Sequence, residues 1–333
     1  MVGLARRFFK LTVLYLVFSG CWVFAFVDEP LPFFENNLNT AAAFLQGLLI
    51  NIYIRVGMLA AVVLAWAYHR RNGESWLETL KIAILALIGV TIVATAFALF
   101  ETTYAVVMPF YADHLFARAD RWLLLGQDAW VVAHNLVPQF GASWVDVFYF
   151  WTWIPLAFLF SFFLLLFDRN KERVARYILL FLFSSFALGN ILALVGLSVG
   201  PVYYDAYYGL SAFQALPDAL AASGVRESHV GQIQQYLGEL FAQNDRHSVS
   251  DIAAFPSVHV SAIMVAVLYA VERSRIIGAV MVLYAAVIWF LSVYTGYHWM
   301  VDGLASILLM VLAQWGLRKS RFPRWLAEGK KPE

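Results

Sequence analysis

Cysteine is nearly absent. Cys21 is the single one in 333 residues, and it lies inside an apolar run. No disulfide can close within the chain, so disulfide-stapled folds are excluded and the redox compartment stays open. Charge is also scarce. Charged residues make up 14% of the chain and hydrophobic ones 62%, against about 25% and about 45–50% in soluble globular domains. A net charge of +1 provides no bulk field for nucleic acid, and no nucleic-acid partner is expected. The sequence shows no internal repeat, no low-complexity tract and no His/Cys/Asp/Glu cluster at metal-ligand spacing. No metal and no other cofactor is expected, and the oligomeric state is left open.

What is abundant is apolar length. A bilayer core about 30 Å thick takes about 20 apolar residues of helix. Runs of that kind lie at Phe8–Val27, Ala41–Tyr68, Ile82–Phe100, Val145–Phe167, Tyr177–Val199, Pro256–Val271, Ile276–Thr295 and Tyr297–Gly316. The first has a basic start like a signal peptide, but it is long and lacks a small-x-small cleavage site before Asp28, so it reads as a retained span. The expected fold is an all-α polytopic membrane helical bundle of about eight transmembrane helices. One integral-membrane domain is expected over 1–333: N-terminal spans to about residue 100, an outer amphipathic segment over 101–144, a core over 145–316 with an outer loop at 200–255, and a basic tail over 317–333.

Eighteen of the 23 lysines and arginines fall on alternate connections: the N-terminus, the loops after the second, fourth and sixth runs, and the tail. Cytoplasmic loops carry such an excess. Both termini are therefore expected in the cytoplasm. The opposite side holds no lysine, and 15 of the 22 acidic residues, counting those within spans, lie toward it. Two outer segments exceed ordinary connector length, 101–144 and 200–255, and long loops of this kind usually carry function. The second contains the helical patterns SAFQALPDALAA and HVGQIQQYLGELFAQ, divided at Ser223-Gly224.

The chemistry-bearing residues gather at the outer ends of the late spans. His259 opens the sixth run within AAFPSVHVSAI, and His298 and Asp302 open the eighth within YHWMVD. Residues four apart share a helix face. A carboxylate there fixes the imidazole tautomer and frees the far nitrogen as nucleophile or base. Pro256 suits a helix start and Ser257 suits a cap. The free N–H groups and positive dipole end of that helix favour phosphate. Read alone, the pair also fits a structural tie between spans, and FPSVH an ordinary capped helix start.

Taken together, AFPSVH followed by YHWMVD about 35 residues later resembles the type-2 phosphatidic acid phosphatase superfamily. Phe-Pro-Ser-x-His with Val258 at x, the GPVYYD stretch from Gly200 to Asp205, and the ADRWLLLGQDAW segment are similar to its inositol phosphorylceramide synthase-like branch. The resemblance spans roughly residues 110–316. It implies a six-helix phosphatase-like core with outer-face amphipathic helices. It also implies His298 as the nucleophile forming a phosphohistidine, Asp302 as its orienting carboxylate and His259 as the acid and base. Membrane lipids are the implied substrates. The phosphatases' basic clamp is missing, because its positions fall on Ala193, Gly200 and Ser292. Candidates for holding substrate or phosphate are Ser257, Ser292, Arg246, His247, Tyr203, Tyr204 and Arg55.

The expected function is a membrane lipid phosphotransferase. The alternatives are a lipid phosphate or polyprenyl-diphosphate phosphatase on the same site, and a non-catalytic lipid-binding or transport protein that keeps the fold. The expected location is a bacterial inner membrane with the site on the periplasmic face.

Overall fold

The computed structural model describes residues 1–35, 52–70, 73, 75–242 and 255–329. Every regular element among them is helical. The chain is an all-α membrane protein. Among the described residues six helices are long and apolar enough to cross a bilayer: α1 (Val2–Phe26), α3 (Trp76–Val107), α6 (Ala142–Phe167), α7 (Lys171–Val195), α12 (Arg275–Tyr294) and α13 (Met300–Lys319). The second and sixth apolar runs carry α2 (Ile52–His69) and α11 (Val258–Arg273). The part of the second run before Ile52 lies outside the described residues. With 16 residues, α11 spans about 24 Å, short of a full hydrocarbon core.

The backbone falls into two compact units. One takes Met1–Phe100, Phe158–Leu182 and Ala313–Glu333; the other takes Glu101–Ala157 and Phe183–Leu312. In the first, Ser75 and Glu78 form a reciprocal capping box that starts α3, with Ser75 N donating to Glu78 Oε2 at 3.1 Å and Glu78 N to Ser75 Oγ at 3.2 Å. Arg173 forks onto Asp168 at 2.6 and 2.7 Å. Arg7 donates to the carbonyls of Leu326 and Ala327 in the terminal helix α14 (Phe322–Glu328).

The second unit holds the outer segments. The mixed stretch before α6 contains α4 (Asp113–Leu123) and α5 (Ala129–Leu136). The loop before α11 contains α8 (Pro201–Tyr208), α9 (Leu216–Ala222) and α10 (His229–Ala242). Gly224, at φ 81°, turns the chain between the last two, where the sequence divides its two helical patterns. Pro201 occupies the first helical position of α8, where its missing N–H leaves no bond unmade.

Two features bring α12 and α13 together. Gly296 sits at φ 73° in their turn, a backbone region open to glycine. At Gly303 a Cβ would lie 2.2 Å from Trp289 Cδ1, so the helices approach there only because no side chain intervenes. We expect Gly303→Ala to force Trp289 aside, break its 3.1 Å bond to the Met300 carbonyl and lower the thermal midpoint by several degrees. A midpoint equal to the parent's would show that the contact relaxes freely.

Candidate active site

Ser257 is the N-cap of α11, its Oγ accepting from Val260 N at 3.4 Å. Pro256 lies one residue outside the helix. That start places His259 in the first turn. On the other side, the Gly296 turn delivers His298 just ahead of α13, whose first turn holds Asp302. The two pieces meet. His298 Nε2 lies 3.4 Å from His259 Nδ1, and His298 Nδ1 lies 3.5 Å from Asp302 Oδ2. Asp302 is fully buried and His298 is 5% exposed. Asp302 Oδ2 also accepts from Trp299 N at 2.9 Å, while its Oδ1 is buried without a hydrogen-bond partner among the described residues. The result is a linear array: carboxylate, imidazole, imidazole.

Aromatic side chains fix the His259 ring. Tyr149 stacks on it at 4.5 Å and 10°, and Trp153 lies over it at 4.4 Å and 32°. Trp153 Nε1 also donates to the His259 carbonyl at 2.9 Å. Both come from α6, whose residues Asp146–Trp151 and Pro155–Leu159 are wound as π-helix, a form common at functional sites. Sequence reading passed over both residues, because aromatics in a span read as lipid anchors.

The helix start beside His298 is closed by carboxylates. Asp120 of α4 accepts from Met300 N at 2.7 Å and Val301 N at 3.0 Å. Asp113, two turns earlier, accepts from Val199 N, Gly200 N, Trp299 Nε1 and Tyr208 Oη, each at 3.0 Å. Neither aspartate stood among the sequence candidates. Burial raises the Asp113 carboxyl above the usual range against these four donors. For Asp120, burial outweighs its two N–H bonds and lifts it to about 7.

A carboxyl raised in the folded state binds a proton that the unfolded chain has already lost, so its contribution to stability declines as pH rises from about 4 to about 7. We expect Asp120→Asn to remove that part of the pH dependence of the thermal midpoint; identical curves for variant and parent over pH 4–8 would contradict it.

The other described sequence candidates have hydrogen-bond partners outside the histidine array. Ser257 is committed to the cap, and its carbonyl accepts from Ser306 Oγ at 2.9 Å. Ser292 donates to the Trp289 carbonyl of its own helix at 2.7 Å. Tyr203 donates to the Gln234 carbonyl at 3.1 Å. Tyr204 bonds His114 through its hydroxyl and packs edge-on to Phe213 and Trp299, so it borders the residue after His298. Arg55 lies on α2, in the other unit, and its side chain is outside the described residues, as are Arg246 and His247 entirely. The remaining outer histidines have their own partners: His134 stacks on Tyr294 at 4.0 Å, and His229 bonds Asp146 at 2.8 Å. Among the described residues no group of His, Cys, Asp and Glu could hold a metal ion.

Spans of this length in an all-helical set of described residues define an integral membrane protein, and its Asp–His–His array lies at the start of two of the helices. The comparisons give the family. The PAP2 superfamily profile matches residues 114–316, and the chain belongs to that superfamily. Phosphoinositol dihydroceramide synthase of Bacteroides thetaiotaomicron is 26% identical over 190 residues, which cover 53% of this chain and 58% of that protein. The chain thus matches little more than half of that relative's length. No solved structure matches. The resemblance read from FPSVH and YHWMVD holds at the level of the family.

Proposed function

We propose that the protein is a lipid phosphotransferase of the membrane, moving a phospho-head group from a phospholipid to a lipid alcohol. The carrying observation is the Asp302–His298–His259 array, with contacts of 3.5 and 3.4 Å. Asp302 accepts from His298 Nδ1–H, so the Nε2 lone pair faces outward toward His259. His259 in turn presents Nδ1–H. In the first step His298 Nε2 attacks phosphorus, an N–P bond forms, and the P–O bond to the leaving alcohol breaks. His259 gives its Nδ1 proton to the leaving oxygen. In the second step the acceptor hydroxyl gives its proton to His259 and its oxygen attacks phosphorus, releasing His298. Splitting the displacement lets donor and acceptor be chosen separately. Asp302 supports the ring as it turns cationic.

A second observation favours a phosphodiester donor over a phosphomonoester. The polar frame of this unit is acidic: Asp113, Asp120 and Asp302 are all buried. Arg121, on the same helix as the first two, is bound to Asp128 at 2.6 Å. A singly charged diester suits that frame better than a dianion. The relative named for phosphoinositol and dihydroceramide points the same way, with a phosphoinositol group as cargo and a ceramide-like alcohol as acceptor. The alternation of basic residues supports cytoplasmic termini and an outer-face site, in a bacterium the periplasmic face of the inner membrane.

The test is incubation of the purified full chain with phosphatidylinositol labelled in its head group, with and without dihydroceramide. Label in a new lipid that requires the acceptor is the expected result. Water-soluble label alone makes the protein a hydrolase, and no release under either condition contradicts the reading.

A further inference from the structure

We propose that Asp120 and Asp113 of α4 are positioning residues that hold the His298 turn and supply the negative charge it needs when it becomes cationic; this rests on His298 being the nucleophile. The starting point is an inversion in α4. Its buried stripe is Asp113, Ala117 and Asp120, at i, i+4 and i+7. The side facing away carries apolar bulk: Leu115 is 58% exposed and Trp122 79%. An ordinary amphipathic helix buries its apolar stripe and solvates its acids. Here the acids point inward, so the helix is held by polar bonds rather than by a greasy face.

Those bonds converge on one place. Asp120 takes the N–H groups of Met300 and Val301, and Asp302 takes that of Trp299. The first three N–H groups after His298 therefore all end on carboxylates. Asp113 takes the indole N–H of Trp299 and, from the start of the GPVYYD stretch, the N–H groups of Val199 and Gly200. His298 is thus fixed from both sides of its following residue. The printed donors are neutral N–H and O–H groups, so each carboxylate, once ionised, brings negative charge next to the turn, Asp120 above about pH 7. Burying such charge is costly, and a neutral cap such as serine would serve a merely structural end. Phosphorylated His298 carries a positive ring, and fixed negative charge nearby favours that state over the resting one.

Among the described residues, the charged and titratable groups near the His298 turn include Asp302 on α13, His259 on α11, Asp113 and Asp120 on α4, and Tyr204 and Tyr208 on α8. Arg121 and Asp128 pair with each other at 2.6 Å. Neutralising Asp120 removes one acidic group from beside the ring, and a nearby anion favours a cation over its neutral form.

The experiment uses the purified full chain with Asp120→Asn, Asp120→Ala and Trp299→Phe. Turnover of head-group-labelled phosphatidylinositol is read as kcat and KM. In parallel, carbethoxylation of His298 by diethyl pyrocarbonate is followed against pH by mass spectrometry, which needs no substrate. Expected for both Asp120 variants are a kcat lower by about tenfold to a hundredfold, on the scale of a misplaced reacting group, a KM within about threefold, and a carbethoxylation midpoint shifted to lower pH. Trp299→Phe, which removes the N–H given to Asp113 and trims the ring that packs on Tyr204 and Phe213, is expected to lower kcat by several-fold with an unchanged midpoint, and it reads the brace even where an Asp120 variant fails to fold. Parental kcat in all three overturns the proposal. So does a fall in kcat with no shift of the midpoint, which makes Asp120 a plain helix cap. Full turnover by His298→Ala in the same assay would instead overturn the nucleophile assignment, whatever the Asp120 variants do.

Discussion

His298→Ala is expected to abolish turnover while the chain still folds. In the proposed mechanism the ring meets phosphorus, and its two nitrogens lie 3.4 Å from His259 and 3.5 Å from Asp302. Removing the nucleophile of a covalent mechanism eliminates both half-reactions, and a loss of about 10⁴-fold or more is the scale for a catalytic unit broken at its centre. The fold is anchored elsewhere. The cap of α11, the carboxylates at the start of α13 and the stacking of His134 on Tyr294 do not pass through this imidazole. Asp302 loses a partner but keeps the Trp299 N–H, so the thermal midpoint should fall by a few degrees and no more. The check is product formation by chromatography beside a melting curve in the same detergent. Retained turnover with a normal melt would remove His298 from the chemistry.

His259→Ala has a different expected signature. In the proposed mechanism His259 serves both half-reactions, as the acid for the leaving oxygen and then as the base for the acceptor. With a phospholipid donor, whose leaving alcohol is a poor one, the variant should lose about 10²- to 10⁴-fold, the usual worth of a positioned acid or base. A p-nitrophenyl phosphodiester separates the two roles, because its leaving group needs no proton. The variant should then release one equivalent of nitrophenolate per protein and stop, holding the phosphoryl-enzyme. Such a burst is the mark of a covalent intermediate. Steady release without a burst would mean that His259 is not the base of the second step. Tyr149 and Trp153 should matter through the same ring. Their faces hold it at 4.5 and 4.4 Å, and losing either leaves the imidazole free to turn from the 3.4 Å contact.

Much of this was legible in the sequence, for physical reasons that differ by element. The spans were readable because a bilayer imposes length and apolarity, and the helices that cross agree with the runs to within about seven residues at either end. His259, His298 and Asp302 were readable because a polar residue in an apolar run is conspicuous and the alternation of basic loops puts all three toward one side. Asp113 and Asp120 were not. An aspartate in a short amphipathic helix reads as its wet face, and the donors that reverse this come from residues 86 and 180 positions along the chain. Spacing alone carried one signal: Asp113, Ala117 and Asp120 form a single stripe opposite Leu115 and Trp122. The π-helical turns of α6 left no trace in the sequence pattern. Ser257 and Ser292 were named as phosphate-side candidates, but each hydroxyl bonds within its own helix turn. The missing basic clamp has a counterpart in the fold. At Gly200, one of the clamp positions, the backbone N–H is given to Asp113, so a carboxylate stands beside a position where the phosphatases carry a cation.

The central claim is that phosphorus passes through His298. The most direct measurement is to mix His259→Ala with the p-nitrophenyl phosphodiester, quench in base, where phosphohistidine survives, and map the adduct by mass spectrometry. The account predicts one phosphoryl adduct per chain, on His298, and none in a variant that also carries His298→Ala. An adduct on any other residue, or a burst of nitrophenolate with no adduct, would contradict it.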